Sequence, residues 1–260
     1  MDWIDALILG IIQGLTEFLP ISSSGHLELG NGILKTDVSE NLTFAIIVHG
    51  ATVLSTIAVF YKDIGMLLKD LFLFRWNEST RYVLKLIISA IPVAIIGLLW
   101  KDSVEALFTG NIVLVGSMLL VTAALLTFAY FSKDRGKEFT YLDSIIIGIG
   151  QALAVMPGIS RAGATISTGM MLGNKRENVA RFSFLMVLLP IIGANGLDLI
   201  SGKTGNSGIS LPVLLVGFAT AFVTGYFACR FMINIVKKGK IIWFAVYCAI
   251  VGFITIIVGL

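Results

Sequence analysis

The sequence predicts an all-α integral membrane protein of about six transmembrane helices plus two re-entrant helix–break–helix hairpins, arranged as an inverted-topology repeat. Three observations predict it: a strongly apolar composition, apolar runs long enough to cross a bilayer, and two shorter runs broken by proline, glycine and serine. Of the 260 residues, 57% are hydrophobic and 13% are charged, and the mean hydropathy is +0.93. This composition is typical of helical membrane proteins and argues against an ordinary soluble domain.

Several apolar runs approach or exceed the length of about 20 residues that a helix needs to span a membrane. They cover residues 42–60, 82–100, 111–131, 179–200, 211–235 and 241–260. After the first run, residues 62–74 mix lysine and aspartate with leucine, which is typical of a helix lying at the membrane interface. The first apolar segment follows Met1-Asp2 without a basic region, so no cleavable signal peptide is expected.

Two further regions predict hairpins that enter the membrane and return. The first joins residues 6–19 to residues 27–34 across a break at Pro20, and the second joins residues 145–156 to residues 164–173 across a break at Pro157. No single piece reaches the length of a span. Irregular backbone at membrane depth is tolerated only where protein or a water-filled cavity surrounds it. We therefore expect both breaks inside the protein, where they meet in one site.

The two halves of the chain repeat each other at a shift of 138 residues. The polar and glycine matches are Asp5 with Asp143, Gly10 with Gly148, Gln13 with Gln151, Ser22 with Ser160, and Gly25 with Gly163. Each half would hold one hairpin and three spans, and an odd number of spans inverts the second half. The sequence thus predicts a single membrane domain, residues 1–260, built of two inverted repeats at about 1–135 and 136–260.

The loop charges predict how this domain is oriented. On one predicted face lie Lys62, Lys69, Arg75, Arg81, Lys85, Lys133, Arg135, Lys137, Lys175, Arg176, Arg181, Lys237, Lys238 and Lys240. The other face carries Lys35, Lys101 and Lys203. Because cytoplasmic loops are enriched in lysine and arginine, both termini are expected outside the cytoplasm. The first hairpin would then enter from outside and the second from the cytoplasm.

Charge and cysteine content argue against two other classes of protein. The formal net charge is +3, and the basic residues lie mostly in loops between apolar spans, so no nucleic-acid partner is expected. The partners that the composition indicates are membrane lipids. Cys229 and Cys248 both lie in apolar runs, where they are expected as free thiols.

The first hairpin carries polar residues that are costly in a membrane. They are Gln13, Glu17, Ser22, Ser23, Ser24, Gly25 and His26. Gln13 and Glu17 share one helix face, and an intramembrane carboxylate is functional by default. Glu17 could act as a general base, as an oxygen ligand of a metal, or as the partner of a cation. The hydroxyls, the glycine and the freed backbone N–H groups suit phosphate oxygens. His26 could serve as nucleophile or general acid.

The second break adds Ser160, Arg161, Gly163 and Thr165. A buried guanidinium needs an anionic partner, and either Glu17 or a ligand phosphate would serve. An Arg161–Glu17 ion pair that only braces the hairpins is the structural alternative, and both roles can hold together. We predict that the two breaks bring Glu17 and His26 within reach of Arg161. His49, inside the span 42–60, could line the same cavity or serve packing alone.

Both breaks resemble the motifs of a known family. The run QGLTEFLPISSSGH, from Gln13 to His26, closely resembles the first motif of the bacterial undecaprenyl-diphosphatase family associated with bacitracin resistance. The run PGISRAGAT, from Pro157 to Thr165, resembles its second motif. The resemblance covers essentially the whole chain. It implies an enzyme of the bacterial inner membrane that removes the terminal phosphate of undecaprenyl diphosphate and regenerates the lipid carrier for cell-wall synthesis. The resemblance also implies a site that faces the periplasmic or extracellular side.

The resemblance also implies residue roles. Catalytic positions match Glu17, Ser23, His26 and Arg161, and phosphate-binding positions match Ser160 and Thr165. Gln13 matches the metal-or-base position, and Gln13 and Glu17 are the predicted metal ligands. The other residues predicted to bind phosphate are Ser22, Ser24, Gly25 and Gly163. A divalent cation, Mg²⁺ or Ca²⁺, is implied. Two departures stand out: Gln13 occupies a position where many members carry glutamate, and Ala162 replaces the second serine of the second motif.

Three alternatives remain open at this level. The attacking group could be His26, Ser23 or water. A secondary transporter or flippase for a polyprenyl phosphate is the alternative function, because inverted repeats with broken helices are the usual architecture of transporters. A type-2 phosphatidic-acid phosphatase is disfavoured, since that pattern needs histidine where Ser167 stands. The sequence also leaves open a homodimer.

Overall fold

The computed structural model describes residues 1–34, 38–73, 76–100, 103–104, 106–107, 110–200 and 208–259. Within these ranges the chain forms helices and loops, with one isolated β-bridge and no named strand, which confirms the predicted all-α class. The described helices are α1 (Trp3–Phe18), α2 (Ser23–Leu34), α3 (Val38–Val59), α4 (Tyr61–Phe72), α5 (Glu78–Leu99), α6 (Ile112–Phe131), α7 (Tyr141–Leu153), α8 (Arg161–Met171), α9 (Arg176–Ile200), α10 (Leu211–Lys237) and α11 (Ile242–Gly259).

Four of these helices are long and apolar enough to cross a bilayer, namely α5, α6, α10 and α11. A fifth span results if Thr43–Val59 of α3 and the following α4, which are bent by 79° at their junction, count as one. The predicted spans 82–100, 111–131, 211–235 and 241–260 fall on the first four helices. The predicted span 179–200 lies in α9. Over its described residues, α9 is not among the helices that are long and apolar enough to cross a bilayer. A multi-pass membrane protein is confirmed, while the count of six spans stays a prediction.

The two hairpins begin in the same way. At the start of α1, the Asp2 side chain accepts from the backbone N–H of Asp5, whose own side chain accepts from Asp2 in return. Thr140 and Asp143 form the same reciprocal cap at the start of α7. Such capping boxes satisfy backbone donors that a helix start leaves free. Helix α1 then ends just before Pro20, which cannot continue the helical hydrogen bonding.

The first helices of the two hairpins pack reciprocally onto the opposite half of the chain. Helix α1 lies along α10, and α7 lies along α5. A Cβ atom on Gly10 of α1 would lie 2.6 Å from the carbonyl oxygen of Gly217. A Cβ atom on Gly148 of α7 would lie 2.4 Å from the carbonyl oxygen of Ser89. Glycine thus allows close backbone approach at both positions that the 138-residue shift pairs. The two-repeat organisation itself stays a prediction.

Helices α6 and α11 form a second close pair that reaches both breaks. A Cβ atom added to Gly116 or to Gly252 would lie 2.8 Å from the carbonyl oxygen of the other. From α11, the Cys248 thiol donates to the carbonyl oxygen of Pro20 at 3.6 Å. Cys248 and Cys229 are both free and buried, as predicted. The α6–α11 pair therefore serves as a support against which the breaks are packed.

Several of the basic loops that were predicted to share a face lie together at one end of the molecule. The Lys175 backbone N–H donates to the carbonyl oxygen of Lys137, and the Arg176 guanidinium donates to the carbonyl oxygen of Ser132. The Lys237 ammonium pairs with Glu177 at 2.6 Å. The predicted loop charges Lys35, Arg75, Lys101 and Lys203 lie outside the described residues. Which membrane face this end occupies stays a prediction.

Candidate active site

The first break is shaped by an unusual backbone at Ser22, whose φ is +72°, in the left-handed region that non-glycine residues rarely adopt. The Ser22 hydroxyl accepts from the backbone N–H of Gly25 at 3.3 Å, and it also contacts the Ser24 hydroxyl at 3.3 Å. The Ser22 side chain thus caps the start of α2. This strained conformation is held by its surroundings, as is common at functional sites.

Glu17 is the centre of a buried hydrogen-bond cluster. Its side chain is only 8% exposed, and its Oε2 atom accepts from the Ser23 hydroxyl at 2.6 Å and from Gln13 Nε2 at 3.0 Å. The spacing of four residues on α1 places Gln13 beside Glu17, and the break returns Ser23 to the same carboxylate. A buried carboxylate needs such donors, because an uncompensated charge in this environment is costly. The structure therefore brings together three predicted site residues.

His49 of α3 also lies beside this cluster, although it belongs to neither of the two sequence motifs. Its Nε2 atom lies 3.6 Å from Glu17 Oε2. Its Nδ1 atom lies 2.8 Å from the carbonyl oxygen of Ala45, which can only accept, so Nδ1 carries a proton. The ring is thereby oriented with Nε2 toward the carboxylate. The sequence had left His49 between a cavity role and a packing role, and the contact places it beside Glu17.

The second break is held by Thr122 of α6. The Thr122 hydroxyl donates to the carbonyl oxygen of Gly158 at 3.2 Å and accepts from the backbone N–H of Ser160 at 3.0 Å. The Ser160 hydroxyl in turn accepts from the backbone N–H of Gly163 at 3.0 Å and so caps α8. The Thr165 hydroxyl donates to the carbonyl oxygen of Arg161 at 2.9 Å. In this state the side chains of Ser160 and Thr165 are engaged in the first turns of α8.

The two breaks meet, as expected from the sequence. A Cβ atom on Gly25 would lie 3.3 Å from the Cα atom of Gly158 and 3.1 Å from Val115 of α6. A Cβ atom on Gly158 would lie 2.4 Å from the carbonyl oxygen of Val115. Val115 thus contacts both breaks, and only residues without a side chain allow them to approach so closely.

Glu17 and Arg161 line one small cavity between α1, α3, α8 and α9. Thr52 and Thr56 of α3 provide hydroxyls on its wall, and the α9 side is apolar. A carboxylate and a guanidinium from different hairpins therefore face the same enclosed space. Direct pairing of Glu17 with Arg161 stays a prediction.

For His26, the approach to Arg161 stays a prediction that no described contact tests. His26 lines a separate groove between α1 and α11 and is not among the residues described around the Glu17–Arg161 cavity. Its Nδ1 atom lies 2.8 Å from the carbonyl oxygen of Ser22, and its Nε2 atom lies 2.8 Å from the hydroxyl of Tyr247. Sequence reasoning missed Tyr247, because its partner is 221 positions away and no local pattern connects them.

The residues suggested for a metal form a small oxygen-rich set. Within the described part of the chain, no group of three or more histidine, cysteine, aspartate or glutamate side chains could hold a metal ion. Gln13 Oε1 is buried and has no hydrogen-bond partner there, and it lies on the amide that contacts Glu17. One carboxylate plus one amide oxygen suits Mg²⁺ or Ca²⁺, provided that substrate phosphates or waters fill further positions. The donor set therefore fits a hard cation of this kind.

Comparison with known proteins identifies the family of this chain. Residues 6–254 match the family model described as bacitracin resistance protein BacA. The chain belongs to the bacitracin resistance protein BacA family. This membership confirms the resemblance drawn from the two motifs.

Relatives of this BacA-family chain match over nearly their full length. The undecaprenyl-diphosphatase of Bacteroides fragilis is 52% identical over 263 residues, covering 100% of this chain and 99% of the relative. The protein of the same name from Parabacteroides distasonis is 52% identical over 260 residues, covering 98% of each. That of Carboxydothermus hydrogenoformans is 42% identical over 266 residues, covering 99% of this chain and 97% of the relative. The two breaks therefore lie within an alignment that spans the whole domain.

Proposed function

We propose that this protein is an undecaprenyl-diphosphate phosphatase, which hydrolyses the diphosphate to undecaprenyl phosphate and phosphate. The names of its relatives and its family support this activity. The observation that carries the proposal is the 2.6 Å hydrogen bond from the Ser23 hydroxyl to the buried Glu17 carboxylate, in a cluster beside Arg161. A hydroxyl held by a carboxylate is the arrangement expected of a nucleophile and its general base.

In the first step of this proposal, Ser23 Oγ attacks the terminal phosphorus while its proton passes to Glu17. The bond from that phosphorus to the bridging oxygen breaks, and undecaprenyl phosphate leaves with the electron pair. Arg161 forks onto the phosphate oxygens and balances their charge, and the positive ends of α2 and α8 add to this field. Such positioning and charge stabilisation account for most of the acceleration in phosphoryl transfer.

In the second step, water hydrolyses the phosphoserine. His26 lies three residues after Ser23 on α2, and side chains at this spacing are neighbours on a helix surface. His26 takes a proton from the attacking water, the bond between phosphorus and Ser23 Oγ breaks, and Glu17 returns its proton to the serine. Phosphate then leaves, and His26 releases its proton to water. The geometry favours Ser23 over His26 as the attacking group, because Ser23 contacts the candidate base.

Gln13 and Glu17 would hold the divalent cation, Mg²⁺ or Ca²⁺, which would supply charge neutralisation for the diphosphate when bound. The other phosphate ligands of the proposal are hydroxyls and backbone N–H groups at the starts of α2 and α8, from Ser22, Ser24, Gly25, Ser160, Gly163 and Thr165. The polyprenyl chain would remain among lipids, so only the headgroup enters the site. A homodimer is not required by this proposal, because one chain supplies every residue of the site.

The cellular placement is also part of the proposal. We infer an inner-membrane protein with both termini outside the cytoplasm and a site that opens to the periplasm. The concentration of basic loops on one predicted face supports this orientation through the positive-inside rule. Cysteine labelling at Asp2 and at Lys238 with a membrane-impermeant reagent in intact cells tests it, since only the substituted Asp2 position should react.

The decisive experiment measures phosphate release from undecaprenyl diphosphate by purified protein in detergent, where transport between two sides cannot occur. Intact protein should release phosphate, and Glu17→Ala, Ser23→Ala and Arg161→Ala should not. Glu177→Gln is the matched control, because that carboxylate is 67% exposed and pairs with Lys237 on the protein surface. An inactive but folded intact protein would overturn the proposal. Trapping of a phosphoserine would distinguish the serine route from direct attack by water, since oxygen from water enters the released phosphate on both routes.

A further inference from the structure

The contact between His26 and Tyr247 joins the first break to the last helix of the chain. The Tyr247 hydroxyl lies 2.8 Å from His26 Nε2, and the two rings stack at 5.6 Å with an interplanar angle of 17°. Tyr247 belongs to α11, the same helix whose Cys248 thiol donates to the carbonyl oxygen of Pro20. Two consecutive residues of α11 therefore contact the first break. Cys248 contacts the backbone of Pro20, and Tyr247 contacts the side chain of His26.

The hydrogen bonds fix which nitrogen of His26 carries the proton. The carbonyl oxygen of Ser22 lies 2.8 Å from Nδ1 and can only accept, so Nδ1 must be the donor. In the neutral ring Nε2 then carries a lone pair, and the Tyr247 hydroxyl is its donor. The Ser22 carbonyl is aimed by the left-handed backbone of that residue, with φ +72°. A chain of hydrogen bonds thus runs from the Ser22 carbonyl oxygen through the His26 ring to the Tyr247 hydroxyl.

The surroundings make the Tyr247 hydrogen bond important for the ring. His26 and Tyr247 lie on a groove of about 470 Å³ between α1 and α11, whose walls include Leu15, Leu19 and Phe244. Two other lining side chains carry a donor, but the Thr16 hydroxyl already donates to the carbonyl oxygen of Ile12 and Trp243 is 73% exposed. The remaining apolar side chains cannot replace the Tyr247 hydroxyl as a donor to Nε2. A polar atom left unpaired in such a place is unfavourable, and the ring would then turn or exchange tautomers to regain a partner.

We propose that Tyr247 is a positioning residue that acts through His26: it holds the imidazole in the Nδ1–H tautomer so that Nε2 stays unprotonated, and its hydroxyl gives way to the attacking water when Nε2 takes a proton. This inference rests on the proposed phosphatase function only for its effect on turnover. A ring held in the opposite tautomer would present a donor at Nε2 and could not accept the proton of the attacking water. Tyr247 thereby selects the base form of His26.

The experiment combines kinetics with nitrogen NMR on protein in detergent micelles. The chain has only two histidines, so ¹⁵N-histidine labelling in a His49→Gln background leaves the signals of His26 alone. Neutral His26 should show a protonated Nδ1 and an unprotonated Nε2. Tyr247→Phe keeps the ring and removes the hydroxyl. It should move the Nε2 signal and lower kcat in the otherwise unmodified protein by about 3- to 10-fold, with KM changed less than about 2-fold.

Tyr130→Phe is the matched control, because Tyr130 is 39% exposed, against 41% for Tyr247, and its ring contacts the neighbouring Phe131 edge to face. It should leave both readouts unchanged. An unaltered Nε2 signal or an unaltered kcat in Tyr247→Phe would overturn the proposal. If that variant does not fold, the intact protein still decides, since a protonated Nε2 in neutral His26 contradicts the assignment. Absence of phosphate release by the intact protein would refute the phosphatase function while the NMR arm still tests the contact.

Discussion

Gly25 and Gly158 lie against each other where the two interrupted helices meet, and a Cβ atom on Gly25 would lie only 3.3 Å from the Cα atom of Gly158. The two residues are 133 positions apart in the sequence. Their approach brings a carboxylate from the first hairpin and a guanidinium from the second to one cavity. The predicted chemistry depends on this contact, because neither hairpin carries both charges.

The first prediction concerns the Gly158 contact. Gly158→Ala should lower thermal stability and phosphate release strongly, because φ is +97° and the new Cβ atom would lie 2.4 Å from the carbonyl oxygen of Val115. The control is Gly136→Ala, with φ +64° and no atom within 4 Å of the added Cβ in the described part of the chain. The control should cost only the conformational strain, about 1–2 kcal/mol. Equal losses of Tm in the two variants would contradict a packing role for Gly158.

The second prediction tests the candidate nucleophile. Ser23→Ala should lower kcat by at least about 10²-fold, because it removes the hydroxyl that Glu17 holds at 2.6 Å. Ser24→Ala is the control, since the Ser24 hydroxyl contacts Ser22 rather than Glu17. Initial-rate kinetics should show a much smaller loss in the control. Comparable kcat values for the two variants would argue against Ser23 as the attacking group and in favour of water.

The third prediction concerns His49, which the family motifs do not include. His49→Ala should lower kcat on the order of 10-fold, because Glu17 Oε2 loses a polar neighbour at 3.6 Å. His49→Gln should recover part of the activity, since an amide N–H can face the same carboxylate. Kinetics of both variants provide the measurement. If the glutamine variant is no better than the alanine variant, the polar contact is not what matters at this position.

The fourth prediction tests the metal assignment through stability rather than turnover. Gln13→Glu would place a second carboxylate against Glu17 and remove the amide donor to Glu17 Oε2. Repulsion between the carboxylates should lower Tm in EDTA, and Mg²⁺ should raise Tm more in this variant than in the intact protein. Glu177→Gln, far from the cluster in sequence and exposed, should show the response of the intact protein. A Tm of Gln13→Glu that is insensitive to Mg²⁺ would contradict a cation site here.

The fifth prediction concerns packing outside the site. Gly10→Ala should destabilise the protein by about 1–3 kcal/mol or more, because the added Cβ atom would lie 2.6 Å from the carbonyl oxygen of Gly217. Gly97→Ala, in α5, has no described atom within 4 Å of the new Cβ and should be neutral or stabilising by up to about 1 kcal/mol. Thermal unfolding in one detergent compares the two variants. A neutral Gly10→Ala would show that α1 and α10 can separate without cost.

Much of the fold was predictable from local sequence because its signals are local. Proline at position 20 ends α1, and the capping pairs at the starts of α1 and α7 begin helices wherever they occur. The spacing between Gln13 and Glu17 is a property of a single helix, so their contact could also be predicted. The long apolar runs identified α5, α6, α10 and α11 for the same reason.

The sequence by itself determined the helical membrane class, the positions of the two breaks and the family motifs, since each depends on neighbouring residues. Only the tertiary structure decided which residues face Glu17 and which partner His26 takes. Tyr247 reaches His26, and His49 reaches Glu17, through the packing of separate helices. Helix packing depends on the shapes of whole helix surfaces. The sequence therefore contains no periodic pattern that would indicate which distant tyrosine contacts His26.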